Sequence, residues 1–146
     1  MPTHARPTEV LLVEDNPADV RLAREAFEEG RTRINLHVVG TGSDALDFLR
    51  HSGRFTSSPR PDLVILDLNL PGKSGGEVLA DIKSDPALLR IPVMILSSSR
   101  EYRDLQRAYE LHANCYIPKP VDYERYLDVV RSIEHFWFDI VTLPSV

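Results

Sequence analysis

Apolar residues bunch five times along this chain, at residues 9–13 (EVLLV), 34–39 (INLHVV), 62–66 (DLVIL), 92–97 (PVMILS) and 114–118 (NCYIP). Short runs of aliphatic residues with little polar alternation suit strands buried on both faces of a parallel sheet. Between them the period lengthens to that of a helix. Val20, Ala23, Ala26 and Phe27 mark one face of a first helix that Asn16 caps and Gly30 closes. Leu46 and Leu49 mark a second, Val78, Leu79 and Ile82 a third, and Leu105, Ala108, Tyr109 and Leu111 a fourth. The fifth carries Tyr126, Leu127, Val130 and Ile133. Strict alternation of strand and helix with short connections predicts an α/β fold, a (βα)5 doubly wound five-stranded parallel sheet with helices on both faces.

Two stretches depart from this rhythm. Residues 51–61 (HSGRFTSSPRP) carry a glycine, serines and two prolines and read as an exposed insertion. The end of the chain, HFWFDIVTLPSV, sets Phe136, Trp137, Phe138, Ile140, Val141 and Leu143 too close together for one amphipathic helix face. The expected organisation is one domain over residues 8–135 and an apolar C-terminal extension over 136–146. After Ile133 too few residues follow for a DNA-binding or catalytic output domain.

Composition narrows the class without changing it. With 146 residues, 42% apolar and 27% charged, the chain has the make-up of one soluble domain with a core. A net charge of −5 and scattered Lys and Arg give no electrostatic footprint for nucleic acid. Cys115 is the only cysteine, so no intrachain disulfide or thiolate-rich metal site can form. That suits a reducing cytoplasm. No apolar run has the length of a signal peptide core or a membrane span, so no membrane association is expected.

The candidate chemistry lies where the strands end. Ligands of an open parallel sheet sit beyond the carboxyl ends of its strands, where the strand order reverses. Glu14 and Asp15 follow the first strand, Asp67 follows the third, Ser97 ends the fourth and Lys119 follows the fifth. Three carboxylates at one point repel each other, and a hard divalent cation such as Mg²⁺ relieves that repulsion. A lysine and a hydroxyl opposite them can donate to phosphoryl oxygens, and a carboxylate held in line can attack phosphorus. Asp67 is the natural nucleophile. Taken singly each residue has a plainer reading: Asp67 or the Glu14–Asp15 pair as a cap or turn former, Lys119 as surface charge, Ser97 as the cap of the next helix. Their joint placement at strand ends favours the site.

The segments LVEDNPAD, LVILDLNLPGKSG, VMILSSS and YIPKP resemble the signature segments of the receiver domains of two-component response regulators. Spacing agrees as well as residue type, with thirty positions from Asp67 to Ser97, nineteen more to Tyr116 and three more to Lys119. The resemblance implies a flavodoxin-like receiver fold with strand order 2-1-3-4-5. It implies Asp67 as phosphoacceptor, with Glu14, Asp15 and the backbone carbonyl of Asn69 joining it around Mg²⁺. Ser97 and Tyr116 would be the switch hydroxyl and aromatic, and Lys119 the phosphate-binding lysine ahead of a cis peptide at Pro120. Glu14 stands where the family often has a second Asp, and Ser97 where it often has Thr; both keep the functional group.

PRPDLVILDLNLPGKSGGEVLADIK and FWFDIVTLP carry a narrower resemblance, to the small regulators that serve bacterial phytochrome histidine kinases. It implies a sensor histidine kinase of phytochrome type as partner and a homodimer, and the apolar tail, in excess of what one receiver core needs, predicts an interface that includes Phe136, Trp137, Phe138 and Ile140. The alternative for the tail is a short cap on its own domain. The phosphoryl group could end on this chain or pass to a histidine phosphotransfer protein. Such a chain would autophosphorylate and dephosphorylate slowly and would not be a turnover enzyme. A phosphatase of the haloacid dehalogenase type fits less well, because Asn69 occupies the place of its general acid and cannot protonate a leaving group. A flavin- or nucleotide-binding relative would not put three acids where a phosphate loop should be.

Overall fold

The computed structural model describes residues 7–30, 33–98, 102–120 and 122–136. In chain order the elements are β1 (Thr8–Val13), α1 (Pro17–Glu28), β2 (Ile34–Val39), α2 (Gly42–Arg50), a 3₁₀ turn (Gly53–Phe55), β3 (Leu63–Leu66), α3 (Gly75–Ser84), β4 (Val93–Ser97), α4 (Tyr102–Glu110), β5 (Cys115–Pro118) and α5 (Tyr123–Ile133). The five strands form one parallel sheet in the order β2-β1-β3-β4-β5.

The unbroken apolar runs have a direct cause. Leu11, Val13, Val64, Leu66, Val93 and Ile95 face a cluster completed by α2, α3 and α4. Their neighbours Val10, Leu12, Leu63, Ile65, Met94 and Leu96 face a second cluster built with α1 and α5. Both faces of β1, β3 and β4 are dry, so alternation would place a polar group in a core, at a cost of about 1–3 kcal/mol when unpaired.

Local signals set the helix starts. The Asn16 side chain accepts from the N–H groups of Ala18 and Asp19, with Pro17 as the first helical residue of α1. Thr41 caps α2, Asp122 caps α5, and Ser74 and Glu77 form a reciprocal capping box on α3. Gly42 is a packing requirement, because a Cβ there would lie 2.6 Å from Val78 Cγ2 and 2.7 Å from the Lys73 carbonyl.

Two expectations are corrected, and the exposed insertion gains an attachment. Tyr109, expected on the inward face of α4, is 47% exposed. Its hydroxyl accepts the Tyr116 N–H at 3.1 Å, because β5 is an edge strand whose outward backbone groups lack a neighbouring strand. The insertion at 51–61 lies at the surface but is fastened to α2. Phe55 meets the Phe48 ring at 5.5 Å, Ser58 Oγ donates to the Phe48 carbonyl at 2.6 Å, and Arg54 pairs with Asp44 at 2.9 Å. The described residues contain no cis peptide bond, so the Lys119–Pro120 bond is trans, the isomer favoured by about 0.5–1 kcal/mol in any X–Pro pair. Phe136 is half exposed, whereas Trp137, Phe138 and Ile140 lie outside the described residues.

Candidate functional site

The chain runs from β1 to β2 on one side of the sheet and then to β3 on the other, so the strand order reverses between β1 and β3. Val13 and Leu66, the last residues of these strands, are register partners, and the Asp67 N–H donates to the Val13 carbonyl at 3.1 Å. Glu14 and Asp67 therefore leave the sheet side by side. Each is held by a backbone donor two residues on: the Asn16 N–H reaches Glu14 Oε2 and the Asn69 N–H reaches Asp67 Oδ1, both at 3.1 Å. Gly75 lets α3 start against this turn. A Cβ at Gly75 would collide with the Asp67 carbonyl, and its own N–H donates to the Leu68 carbonyl at 3.1 Å.

Carboxylate oxygens of Glu14, Asp15 and Asp67 all lie within 4.8 Å of one another. Glu14 and Asp67 are buried and Asp15 is exposed, so the cluster opens to water on one side. Lys119 reaches in from the far side of the sheet. Its N–H donates to the Ser97 carbonyl at 2.7 Å, which fixes the residue at the strand ends. Its Nζ lies 2.7 Å from Glu14 Oε1, 2.8 Å from Asp19 Oδ2 and 3.1 Å from Asp67 Oδ2.

Burial raises the Glu14 pKa above the usual carboxylate range; hydrogen bonds from Lys119 and the Asn16 N–H oppose the shift and the Asp67 charge adds to it. For Lys119 burial acts to lower the pKa, but hydrogen bonds to Asp19 and Glu14 and the charges of Glu14 and Asp67 outweigh it. Lys119 stays cationic. Tyr126 on α5 is buried close enough to the cluster that burial first, and then the charges of Glu14 and Asp19, push its phenol up.

Glu14, Asp15, Asp67, Lys119 and the Asn69 N–H thus come together. Ser97 is fully buried at the end of β4. Tyr116 is half-buried on β5 and packs against the α2–α3–α4 cluster. Sequence reasoning missed Asp19. It sits in the first turn of α1, where an acid ordinarily reads as a partner of the helix dipole, and only the fold brings Lys119 to it.

Three hard carboxylates around a point open to solvent suit a small divalent cation that keeps several waters. One ammonium faces four carboxylates here, Asp19 included, so the excess negative charge favours the same ligand.

Residues 10–131 match the response regulator receiver domain family, and the chain belongs to it. Response regulator Rcp1 of Synechocystis sp. is 45% identical over 139 residues, which are 95% of this chain and 95% of that protein. The crystal structure of the Mn²⁺-bound form of Rcp1 superposes with a TM-score of 0.89, covering 95% of this chain and 100% of that one. The phosphorylated cyanobacterial phytochrome response regulator RcpA, 46% identical, superposes with a TM-score of 0.91 over 96% of this chain and all of its own. The protein is a two-component receiver, homologous to phytochrome response regulators and hence a partner of a histidine kinase. Among the described residues, no helix is long and apolar enough to cross a membrane.

Proposed function

We propose that Asp67 accepts a phosphoryl group from a phytochrome-type histidine kinase in the cytoplasm, and that the phosphorylated receiver signals by changing its protein partners. The observation that carries this reading is Asp67 itself, a buried carboxylate at the strand-order reversal with two acids beside it and Lys119 Nζ 3.1 Å away. A carboxylate oxygen of Asp67 bonds to phosphorus as the donor's bond from phosphorus to histidine nitrogen breaks, and the electron pair leaves on the imidazole. Lys119 donates to a phosphoryl oxygen and Ser97 supplies a hydroxyl to another. Mg²⁺, held by Glu14, Asp15, Asp67 and the Asn69 carbonyl, would neutralise phosphoryl charge. Ser97 and Tyr116 are the switch pair, through which the altered hydrogen bonding reaches the α4–β5–α5 face as a population shift. Without a kinase the same carboxylate reacts slowly with small phosphodonors and loses its phosphoryl group to water. Support from relatives lies in RcpA, crystallised phosphorylated, and Rcp1, crystallised with Mn²⁺.

The decisive experiment is phosphotransfer profiling. Labelled phytochrome-class histidine kinases should pass a base-labile phosphoryl group to this chain within seconds, and to Asp67 alone. Transfer at equal rates from unrelated kinases would remove the phytochrome assignment.

Asp15→Asn should weaken Mg²⁺ at least tenfold, because it deletes both a ligand and a negative charge at the open side of the cluster. Isothermal titration checks this, and equal affinity in the two proteins would break the shared site.

The receiver domain, residues 8–135, is proposed to dimerise through the extension at 136–146. Phe136, 51% exposed just beyond α5, supports this reading, and the sequence that follows it is rich in large apolar residues of the kind that form interfaces between copies. Full-length protein should sediment as a dimer at micromolar concentration. Truncation before Phe136 should give a monomer or an aggregating protein that still labels at Asp67.

A further inference from the structure

An ammonium has three N–H bonds to give, and three carboxylates lie within ion-pair distance of Lys119 Nζ: Glu14 at 2.7 Å, Asp19 at 2.8 Å and Asp67 at 3.1 Å. Two of these partners have a second role. Glu14 and Asp67 belong with Asp15 to the cluster that suits a divalent cation, and Asp67 is also the proposed carrier of the phosphoryl group. Asp19 has neither role. It stands in the first turn of α1, where its N–H donates to the Asn16 side chain at 3.3 Å and Pro17 fixes the start of the helix.

A lysine side chain is a flexible four-carbon stem with a charge at its tip. The base of this stem is fixed by the bond from the Lys119 N–H to the Ser97 carbonyl at 2.7 Å, so the place of the tip depends on its ion pairs. Once Glu14 and Asp67 serve a cation their hold on the ammonium weakens, and phosphorylation of Asp67 turns one of its anionic oxygens into an ester oxygen. Two N–H bonds are then free to meet phosphoryl oxygens. The third keeps Asp19. Side-chain exposure is 20% for Asp19 and 11% for Lys119, so water and salt screen this pair weakly.

We infer that Asp19 is a positioning residue that keeps Lys119 within reach of Asp67 when the cation and the phosphoryl group have drawn off its other two partners. The inference rests on Asp67 being the phosphoacceptor and on its sharing a cation with Glu14. With an acyl phosphate as donor, the Asp67 carboxylate attacks phosphorus, the donor's P–O bond breaks and the electron pair departs on the leaving carboxylate. No proton changes owner in that step. Lys119 donates to a phosphoryl oxygen while one of its N–H bonds stays on Asp19.

Two measurements test this. The first is labelling of the full chain by acetyl phosphate at saturating Mg²⁺ over a range of donor concentrations. Asp19→Ala should lower the maximal rate about three- to tenfold, the scale of one partly exposed ion pair, with the donor KM no higher than in wild type. Repulsion of the anionic donor by Asp19 acts in the opposite sense and cannot produce such a loss. Asp19→Glu, which restores the acceptor, should come within twofold of wild type. An equally fast or faster Asp19→Ala protein overturns the inference. So does a loss that Asp19→Glu shares in full, because it would belong to the start of α1 and not to the ion pair. Should Asp19→Ala fail to fold, Asp19→Ser, suited to a first helical turn, is read in the same way.

The second measurement needs no phosphate. In EDTA Glu14 and Asp67 still hold Lys119, so Asp19→Ala should shift the urea unfolding midpoint little, whereas in millimolar Mg²⁺ the shift should be larger. Combined with Lys119→Met, the same substitution should act equally in both conditions, since no ammonium is left to hold. Equal shifts in the presence of Lys119, or the same Mg²⁺-dependent difference in its absence, overturn the inference. A wild-type protein that never labels would remove the phosphoacceptor reading, while the unfolding comparison would still decide whether Asp19 holds Lys119.

Discussion

Asp67→Asn is expected to bring phosphorylation below about 1% of wild type with any donor, because an amide oxygen lacks the anionic lone pair that attacks phosphorus. The substitution should leave the fold intact. Asp67 sits beside Glu14 and Asp15, so removing its charge relieves repulsion while leaving Lys119 paired with Glu14 and Asp19. The Asn side-chain oxygen can still accept the Asn69 N–H that Asp67 accepts now. Loss of labelling together with an unchanged or slightly higher unfolding midpoint would therefore be a chemical loss. Incorporation of one base-labile, Mg²⁺-dependent phosphate by Asp67→Asn at the wild-type rate would move the acceptor elsewhere.

Lys119→Met should act on stability as much as on chemistry. The side chain is 11% exposed and bonds to three carboxylates, of which Glu14 is 2% and Asp67 5% exposed. Taking one partner from a buried charge pair typically costs about 3–5 kcal/mol, since the other charges stay dry and unpaired. The pH dependence has a definite sign. Burial already raises the Glu14 pKa in the folded protein, so ionising it opposes folding as pH rises through that raised value. Without the lysine the shift grows, so Lys119→Met should lose most stability near pH 7.5 and recover part of it near pH 5. Urea unfolding at the two pH values checks this. Millimolar Mg²⁺ should restore stability by mass action, and more strongly than in wild type, because no ammonium competes for the carboxylates. Equal destabilisation at both pH values, with no response to Mg²⁺, would mean that Lys119 contributes by packing and not by charge. Phosphoryl transfer to the variant should fall steeply, for want of the donor that meets the phosphoryl oxygen.

Both predictions turn on residues already conspicuous as sequence. Leu63 to Leu66 form an apolar run with no polar interruption because β3 is buried on both faces, and the carboxylate that follows had to lie at the edge where such a sheet opens. Glu14, Asp15, Ser97 and Lys119 could be assigned to that edge by the same reasoning, since each follows or ends an apolar run. The start of α1 was equally legible, because a cap such as Asn16 acts on donors two or three residues away.

Contacts between distant elements were a different matter. Asp19 lies in the first turn of α1 and reads locally as a residue suited to the helix dipole; its bond to Lys119 spans the chain and exists only once β5 lies in the sheet. Tyr109 fits the inward face of α4 by period, yet it sits half exposed because the edge of β5 leaves a backbone N–H that its hydroxyl can take. Residues 51–61 read as an exposed insertion by composition and do lie at the surface, but the ring and backbone carbonyl of Phe48 and the Asp44 carboxylate give Phe55, Ser58 and Arg54 something to hold. Period, caps and strand-end acids depend on the covalent neighbourhood and are therefore written in the sequence. The ion pairs of Lys119, the hydroxyl cap on β5 and the seating of the 51–61 segment depend on which surfaces the sheet brings within hydrogen-bond reach, and tertiary packing alone decides that.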